Sequence, residues 1–290
     1  MVLEIMGEVV MKHVVIAGCG DLGTALGQQL LARGWQVYGL RRDPSQLPAG
    51  IMPIAADLTQ AQKPADWPAK VDYLVYCPAA GNRDAELYQQ LYVEGLEHVL
   101  AWTQSSSQQL NFLLQVSSTG VYAQSEGEWV TENSRALADS PTAIKLLAAE
   151  DVALRSGVPA SVVRLGGIYG PGRNRLIEQV RGGLHVPEEP AQYTNRIHRD
   201  DAAGLLAHLL AQADQQELLA PCYLGVDNEP AALFDVTTWL AEQLGTSLQT
   251  DGAVSTRSGS KRCSNELARE SGWQPQYPSF REGYAELLKT

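Results

Sequence analysis

Between His13 and Leu165, short runs of β-branched and aromatic residues alternate with stretches whose apolar residues recur every three to four positions. The short runs predict strands at His13–Ala17, Gln36–Leu40, Ile51–Ala55, Tyr73–Cys77, Phe112–Val116 and Ser161–Leu165. Helical spacing sets Leu22, Ala25, Leu26 and Leu30 on one face of a first helix, and Gly34 stops it just after Arg33. A second helix carries Tyr88, Leu91, Tyr92, Leu96, Val99 and Thr103 on one face. A third starts near Thr142, aligns Ile144, Leu147, Ala148 and Val152, and ends at Ser156-Gly157. Strands that alternate with helices in this way predict an α/β fold with a parallel sheet and crossover helices.

The rhythm breaks after Leu165. Turns rich in Gly and Pro surround a short helix near Leu176–Val180. They are followed by a helix at Asp201–Ala211, a strand at Cys222–Val226 and a helix at Phe234–Leu244. The expected organisation is a tail at 1–10, a first domain at 11–165 and a smaller α/β lobe at 166–290. Part of 195–226 is expected to pack back on the first domain.

Composition narrows the partners. A net charge of −11 over 290 residues argues against a broad surface for nucleic acid or anionic lipid. A small local anion site is still compatible with it. Cys19, Cys77, Cys222 and Cys263 have no paired spacing, so reduced thiols are expected and no metal site. No apolar run approaches the ~20 residues that span a bilayer. Residues 1–10 carry acids where a signal peptide carries lysine or arginine, which makes a cytoplasmic protein the expectation.

The first strand runs into Gly18-Cys19-Gly20-Asp21-Leu22-Gly23, a G-x-G-x-x-G that opens a helix. Gly18 permits the turn, Gly20 lets the backbone approach a pyrophosphate, and Gly23 lets helix and strand pack closely. An anion then meets unpaired N–H groups and the positive end of the helix dipole. The motif in this setting predicts a doubly wound Rossmann sheet that binds a dinucleotide, with Asp21 and Leu22 at the helix start. The second strand ends Leu40-Arg41-Arg42-Asp43. An acid here would hold ribose hydroxyls, whereas arginine suits a 2′-phosphate. Arg41 and Arg42 therefore favour NADP(H) over NAD(H), and the alternative is a solvated turn in which Asp43 holds the ribose. Asp57 is expected beside the adenine, and Ala79 and Ala80 along the cofactor.

Val116-Ser117-Ser118-Thr119-Gly120-Val121-Tyr122 resembles the extended short-chain dehydrogenase/reductases, and more narrowly the NAD-dependent epimerase/dehydratase family. Arg164-Leu165-Gly166-Gly167-Ile168-Tyr169-Gly170-Pro171-Gly172-Arg173 is similar to that family's sixth-strand segment. Ile197-His198-Arg199-Asp200-Asp201-Ala202 and Tyr223–Pro230 resemble its later motifs. The resemblance runs over nearly the whole chain from Met11. It implies a serine on the fifth strand, here Ser118, and a Tyr-x-x-x-Lys pair on the next helix. That helix reads Pro141-Thr142-Ala143-Ile144-Lys145-Leu146-Leu147-Ala148-Ala149-Glu150. Alignment on Pro141 and Glu150 puts Thr142 at the tyrosine and Leu146 at the lysine, while alignment on Lys145 puts Pro141 at the tyrosine. Neither restores the pair, and threonine is far too weak an acid to replace a phenol.

Tyr122, Tyr169 and His198 are candidates for the proton donor. Arg173, Asn195 and Arg196, with Arg175, are candidates for holding an anionic substrate. Lys261 and Arg262 are read either as another anion contact or as a solvated turn. Two functions stay open: an oxidoreductase or epimerase-like enzyme with a degenerate site, acting on a small anionic metabolite, or a non-catalytic NADP(H)-binding or sensing protein. The expected partner is a small-molecule substrate, with a homodimer as one option for assembly.

Overall fold

In the computed structural model, which describes residues 11–104, 109–247 and 259–289, the alternating runs form consecutive strands and helices. The tail predicted at 1–10 lies outside the described residues. The chain passes through β1 (His13–Ala17), β2 (Gln36–Arg41), β3 (Ile51–Ala55), β4 (Tyr73–Tyr76) and β5 (Phe112–Ser118). Then follow β6 (Glu128–Val130), β7 (Ala160–Leu165), β8 (Gly167–Tyr169), β9 (Tyr193–Thr194) and β10 (Arg196–His198). The last strands are β11 (Cys222–Gly225), β12 (Ala231–Ala232) and β13 (Lys261–Cys263). Helices α1 (Asp21–Ala32), α2 (Ala85–Tyr88), α3 (Gly95–Gln104) and α4 (Pro141–Leu154) belong to the first half. Helices α5 (Arg175–Arg181), α6 (Arg199–Asp214) and α7 (Leu233–Leu244) belong to the second.

Seven strands form one parallel sheet in the order β11-β7-β5-β4-β1-β2-β3. The order reverses between β1 and β4, so the loops after these strands part and leave a crevice at the strands' carboxyl ends. Period two decides which core each side chain joins. Val14 and Ile16 pack with α1 and α6, whereas Val15 and Ala17 pack with α3. Helix α6 and strand β11 return from the second half to the sheet. Arg33 donates to the Ala207 carbonyl at 2.7 Å and locks α1 against α6. Among the described residues, three two-stranded sheets complete the fold, pairing β8 with β10, β9 with β12 and β6 with β13.

Two helices differ from expectation. The second predicted helix is split by a π-helical turn at Gln89–Glu94, between α2 and α3. Its cause lies outside the helix: the Tyr76 hydroxyl donates to the Leu91 carbonyl at 2.5 Å, and Gly95 has no side chain to obstruct it. In α4 the core face is Ala143, Leu146, Ala149 and Ala153 rather than the row that begins at Ile144, which is 52% exposed. Glu150 turns the helix inward. Its carboxylate accepts three bonds from Arg164, at 3.0, 3.2 and 2.6 Å, and one from Ser117 at 2.5 Å. A periodicity built on apolar residues does not register a buried carboxylate.

Candidate functional site

A cleft of about 1260 Å3 opens over the carboxyl ends of β1, β2, β4 and β5. Sites for drug-sized ligands hold roughly 300–1,000 Å3, so this one has room for a dinucleotide and a second molecule. Its lining includes Gly18, Gly20, Asp21, Leu22 and Gly23 at one end and Ser118, Tyr122 and Thr142 at the other.

The glycine loop follows from backbone limits. Gly18 has φ +88°, and a Cβ there would stand 2.6 Å from the Pro78 backbone. Gly18 and Cys19 both donate to the Leu40 carbonyl, at 3.0 and 2.8 Å, which fastens the turn to β2. At Gly20 a Cβ would meet only the Gly18 carbonyl, at 3.9 Å. Gly20 thus leaves open the space that a pyrophosphate needs beside the first turn of α1, so these residues fit a dinucleotide.

At the end of β2, half-buried Arg41 and exposed Arg42 line the cleft. Asp43 also lines it, but its carboxylate accepts the Ser45 amide at 3.0 Å and caps a short turn. Those bonds hold the Asp43 carboxyl below the usual range. Asp57 folds back in the same way onto Thr59, accepting its amide at 3.0 Å and its hydroxyl at 2.9 Å. Ala79 and Ala80 follow β4 on the cleft wall, where the Ala80 amide donates to the Tyr92 hydroxyl at 3.3 Å. Arg173 reaches across from the second half and donates to Asp21 at 2.6 Å, and Arg199 joins the same carboxylate at 3.0 Å.

At the far end the Ser118 hydroxyl oxygen accepts the Gly120 amide at 3.1 Å. Its own proton is left to be donated elsewhere. Tyr122 lines the cleft, yet its hydroxyl is turned inward. It donates to the Thr131 carbonyl at 3.2 Å and accepts from Arg164 at 2.6 Å. Burial pushes this phenol up to about 12, although Arg164 pulls the other way. Thr142 and Leu146 both line the cleft, and Leu146 packs in an apolar cluster with Val121 and Ala149. Lys145 is half-buried and stands outside the lining.

Four expected site residues lie behind the cleft instead of in it. His198 is 1% exposed, and its Nδ1 accepts the Asp200 amide at 3.2 Å as the cap of α6. Burial lowers its pKa, which favours the neutral ring, against the pull of Asp200. Tyr169 packs between His198 and Tyr284, its phenol raised far above the usual range by burial. Arg196 is buried, bonded to the Thr194 hydroxyl and laid over the Phe280 ring. Asn195 spends its side chain on β13. These four positions need correction: none lines the cleft, and packing separates them from it even though the Tyr169 hydroxyl, His198 Nε2 and one Arg196 guanidinium nitrogen make no hydrogen bond among the described residues. Arg175 opens α5 and lies outside the lining.

Lys261 does line the cleft, where the sequence left it between anion contact and solvated turn. It is buried, and its Nζ donates to the Tyr122 carbonyl at 2.7 Å. Burial holds its ammonium below the usual lysine range, against the pull of Cys263, Asp139 and Glu128. Arg262 faces the other way, between the Trp129 and Tyr193 rings at 5.2 and 4.8 Å. Asp139, Ser140, Arg83 and Tyr88 also line the cleft and carried no motif in the sequence.

A model of the NAD dependent epimerase/dehydratase family matches residues 14–217. The chain is 26% identical to a Streptomyces sp. protein named 3-diazoavenalumate denitrifying reductase, over 94% of this chain and 99% of the relative. A solved structure from Methylobacillus flagellatus, assigned as an NAD-dependent epimerase/dehydratase, is 36% identical. It covers 96% of this chain and 98% of its own, with a TM-score of 0.79. The human epimerase family protein SDR39U1, solved with NADPH, shares the fold at 20% identity, 97% and 100% coverage and a TM-score of 0.77.

Proposed function

The chain belongs to the NAD-dependent epimerase/dehydratase family, and from that premise we propose that it is an NADP(H)-dependent oxidoreductase acting on a small anionic molecule. One observation carries the cofactor choice: Arg41 and Arg42 line the cleft at the end of β2, while the neighbouring Asp43 carboxylate is engaged by Ser45. A 2′-phosphate gains charge-assisted bonds from arginine, whereas a ribose diol needs a free carboxylate there. The NADPH held by human SDR39U1 agrees with this choice, and the Streptomyces relative's name favours reduction over epimerisation.

Gly18 and Gly20 would hold the pyrophosphate and Arg41 and Arg42 the 2′-phosphate, with Asp57 beside the adenine. When bound, the nicotinamide supplies or accepts a hydride. Ser118 would direct its hydroxyl proton to the reacting oxygen, and Ser140 and Thr142 supply further hydroxyls to the same wall. The open cleft admits solvent as the final source of the proton.

NADPH and NADH titrations test the cofactor, and NADPH consumption with a panel of small keto acids and aldehydes tests the chemistry. Expected are tighter binding of NADPH and turnover that falls at least tenfold in Ser118→Ala. Failure to bind either dinucleotide overturns the reading. A non-catalytic NADP(H)-binding protein is the second reading, favoured by the inward-turned Tyr122 hydroxyl and by Thr142 in place of a phenol. Tight NADPH binding without turnover across the panel selects it.

A further inference from the structure

We propose that Lys261 is the substrate-side anion anchor of the cleft, its ammonium holding a carboxylate of the molecule on which the site acts. This rests on the reading of the substrate as a small anion.

Lys261 stands in the lining with Ser118, Tyr122, Asp139 and Ser140, whereas Arg41 and Arg42 belong to the end by the glycine loop. It is 5% exposed, and no Asp or Glu oxygen among the described residues comes within 4.0 Å of its Nζ. Among the described residues its side chain makes one hydrogen bond, to the Tyr122 carbonyl. An ammonium has three protons to donate, and a buried charge is ordinarily paired as well as hydrogen-bonded. Asp139 and Glu128 act on it only from longer range. A ligand carboxylate in the cleft supplies the missing counter-charge and takes the remaining donors.

The anchor is also rigid, as a binding group must be. Strand β13 is paired to β6 with Lys261 opposite Glu128. Gly127 donates to the Ser260 carbonyl at 2.7 Å, just before the lysine, and Ser264 donates to the Val130 carbonyl at 2.9 Å, just after the strand. Asn195 grips the other edge through Lys261 and Cys263. A single ammonium in a wall that also carries Ser118, Ser140 and Asp139 suits a monoanionic carboxylate better than a phosphate dianion, which calls for more positive charge.

Ligand-observed NMR on the full chain, with and without saturating NADP+, tests this with benzoate, pyruvate and acetate as probes. Benzamide serves as the neutral control and inorganic phosphate as the rival anion. The expected result is binding of at least one carboxylate, no binding of benzamide, a loss of tenfold or more in Lys261→Met, and partial retention in Lys261→Arg. In the parent, carboxylate binding is expected to fall as pH rises through the lysine's lowered titration, with Asp139, Glu128 and Cys263 the groups that face it. Lys261→Arg moves that loss to higher pH, which keeps the test decisive if Lys261→Met does not fold. Binding of none of the three carboxylates, equal binding by Lys261→Met, or preference for phosphate overturns the assignment. If carboxylates bind through Lys261 but NADP+ does not bind, the cofactor reading falls and the anchor stands.

Discussion

Asn195 clamps the strand that carries Lys261: its side-chain amide donates to the Lys261 carbonyl at 3.0 Å, and its side-chain oxygen accepts the Cys263 amide at 2.7 Å. One carboxamide thus mimics a neighbouring strand. Asn195→Ala leaves a buried carbonyl and amide without partners, which costs about 1–3 kcal/mol for each unsatisfied group. Urea unfolding is expected to show a lower midpoint with an unchanged slope. A midpoint equal to that of the parent would show that the clamp is not needed.

The two loop glycines are expected to fail in different ways. Gly18→Ala forces a side chain into positive φ against Pro78, so it lowers stability by about 1–2 kcal/mol or more. Gly20→Val has open space around the new side chain, so the protein stays folded while NADP(H) affinity drops at least a hundredfold. Thermal melts beside fluorescence titrations separate the two effects. Full affinity in a folded Gly20→Val protein would move the dinucleotide site elsewhere.

Arg41→Ala and Arg42→Ala are each expected to weaken NADP(H) by about tenfold or more, the worth of a charge-assisted bond of 1.5–3 kcal/mol. NAD(H) affinity should stay within twofold of the parent. Equal affinity for both cofactors, unmoved by either change, would return the second strand's end to a solvated turn.

Glu150 and Arg164 form a buried pair, with side chains 5% and 11% exposed, and Arg164 also holds the Tyr122 hydroxyl. Removing one partner strands the other charge in the interior, so Glu150→Ala is expected to cost about 3–5 kcal/mol. Glu150→Leu with Arg164→Met is expected to recover much of that loss. Chemical denaturation of the three proteins decides, and a double variant no better than the single would contradict a penalty for the stranded charge.

Burial pushes the Asp227 carboxyl up to about 7, although Arg196 and the Glu229 amide pull it down. Unfolded, the same carboxyl titrates near the ordinary value of 3.8. Between these limits the native state holds the proton longer, so this group's contribution to stability declines as pH rises from about 4 to 7 and is level above and below. In Asp227→Asn that decline is absent. Unfolding midpoints measured side by side at several pH values should therefore diverge in favour of the variant as pH rises. A constant difference between the two proteins would mean that Asp227 titrates normally.

The order of the first five strands, the glycine loop and the paired arginines were legible in the sequence because they rest on local causes. Strand period, positive φ and the identity of the residue ending β2 act over a few neighbours and leave a pattern in consecutive positions. The π-helical turn was not legible, since it depends on the Tyr76 hydroxyl meeting a carbonyl fifteen residues later in the chain. The buried face of α4 was hidden for the same reason, because Glu150 is drawn inward by an arginine on another strand.

By itself the sequence determined a parallel α/β sheet with a phosphate-binding turn at the end of its first strand. Only the tertiary structure decided which polar side chains face the cleft. Asn195, Arg196, Tyr169 and His198 have reactive groups and motif-like neighbours, yet the fold uses them to cap, clamp and pack. Lys261 has no motif, yet a strand formed 139 residues beyond Tyr122 carries its ammonium to the cleft wall. A side chain's chemistry is written in its residue type, but its availability depends on where packing by distant parts of the chain buries it.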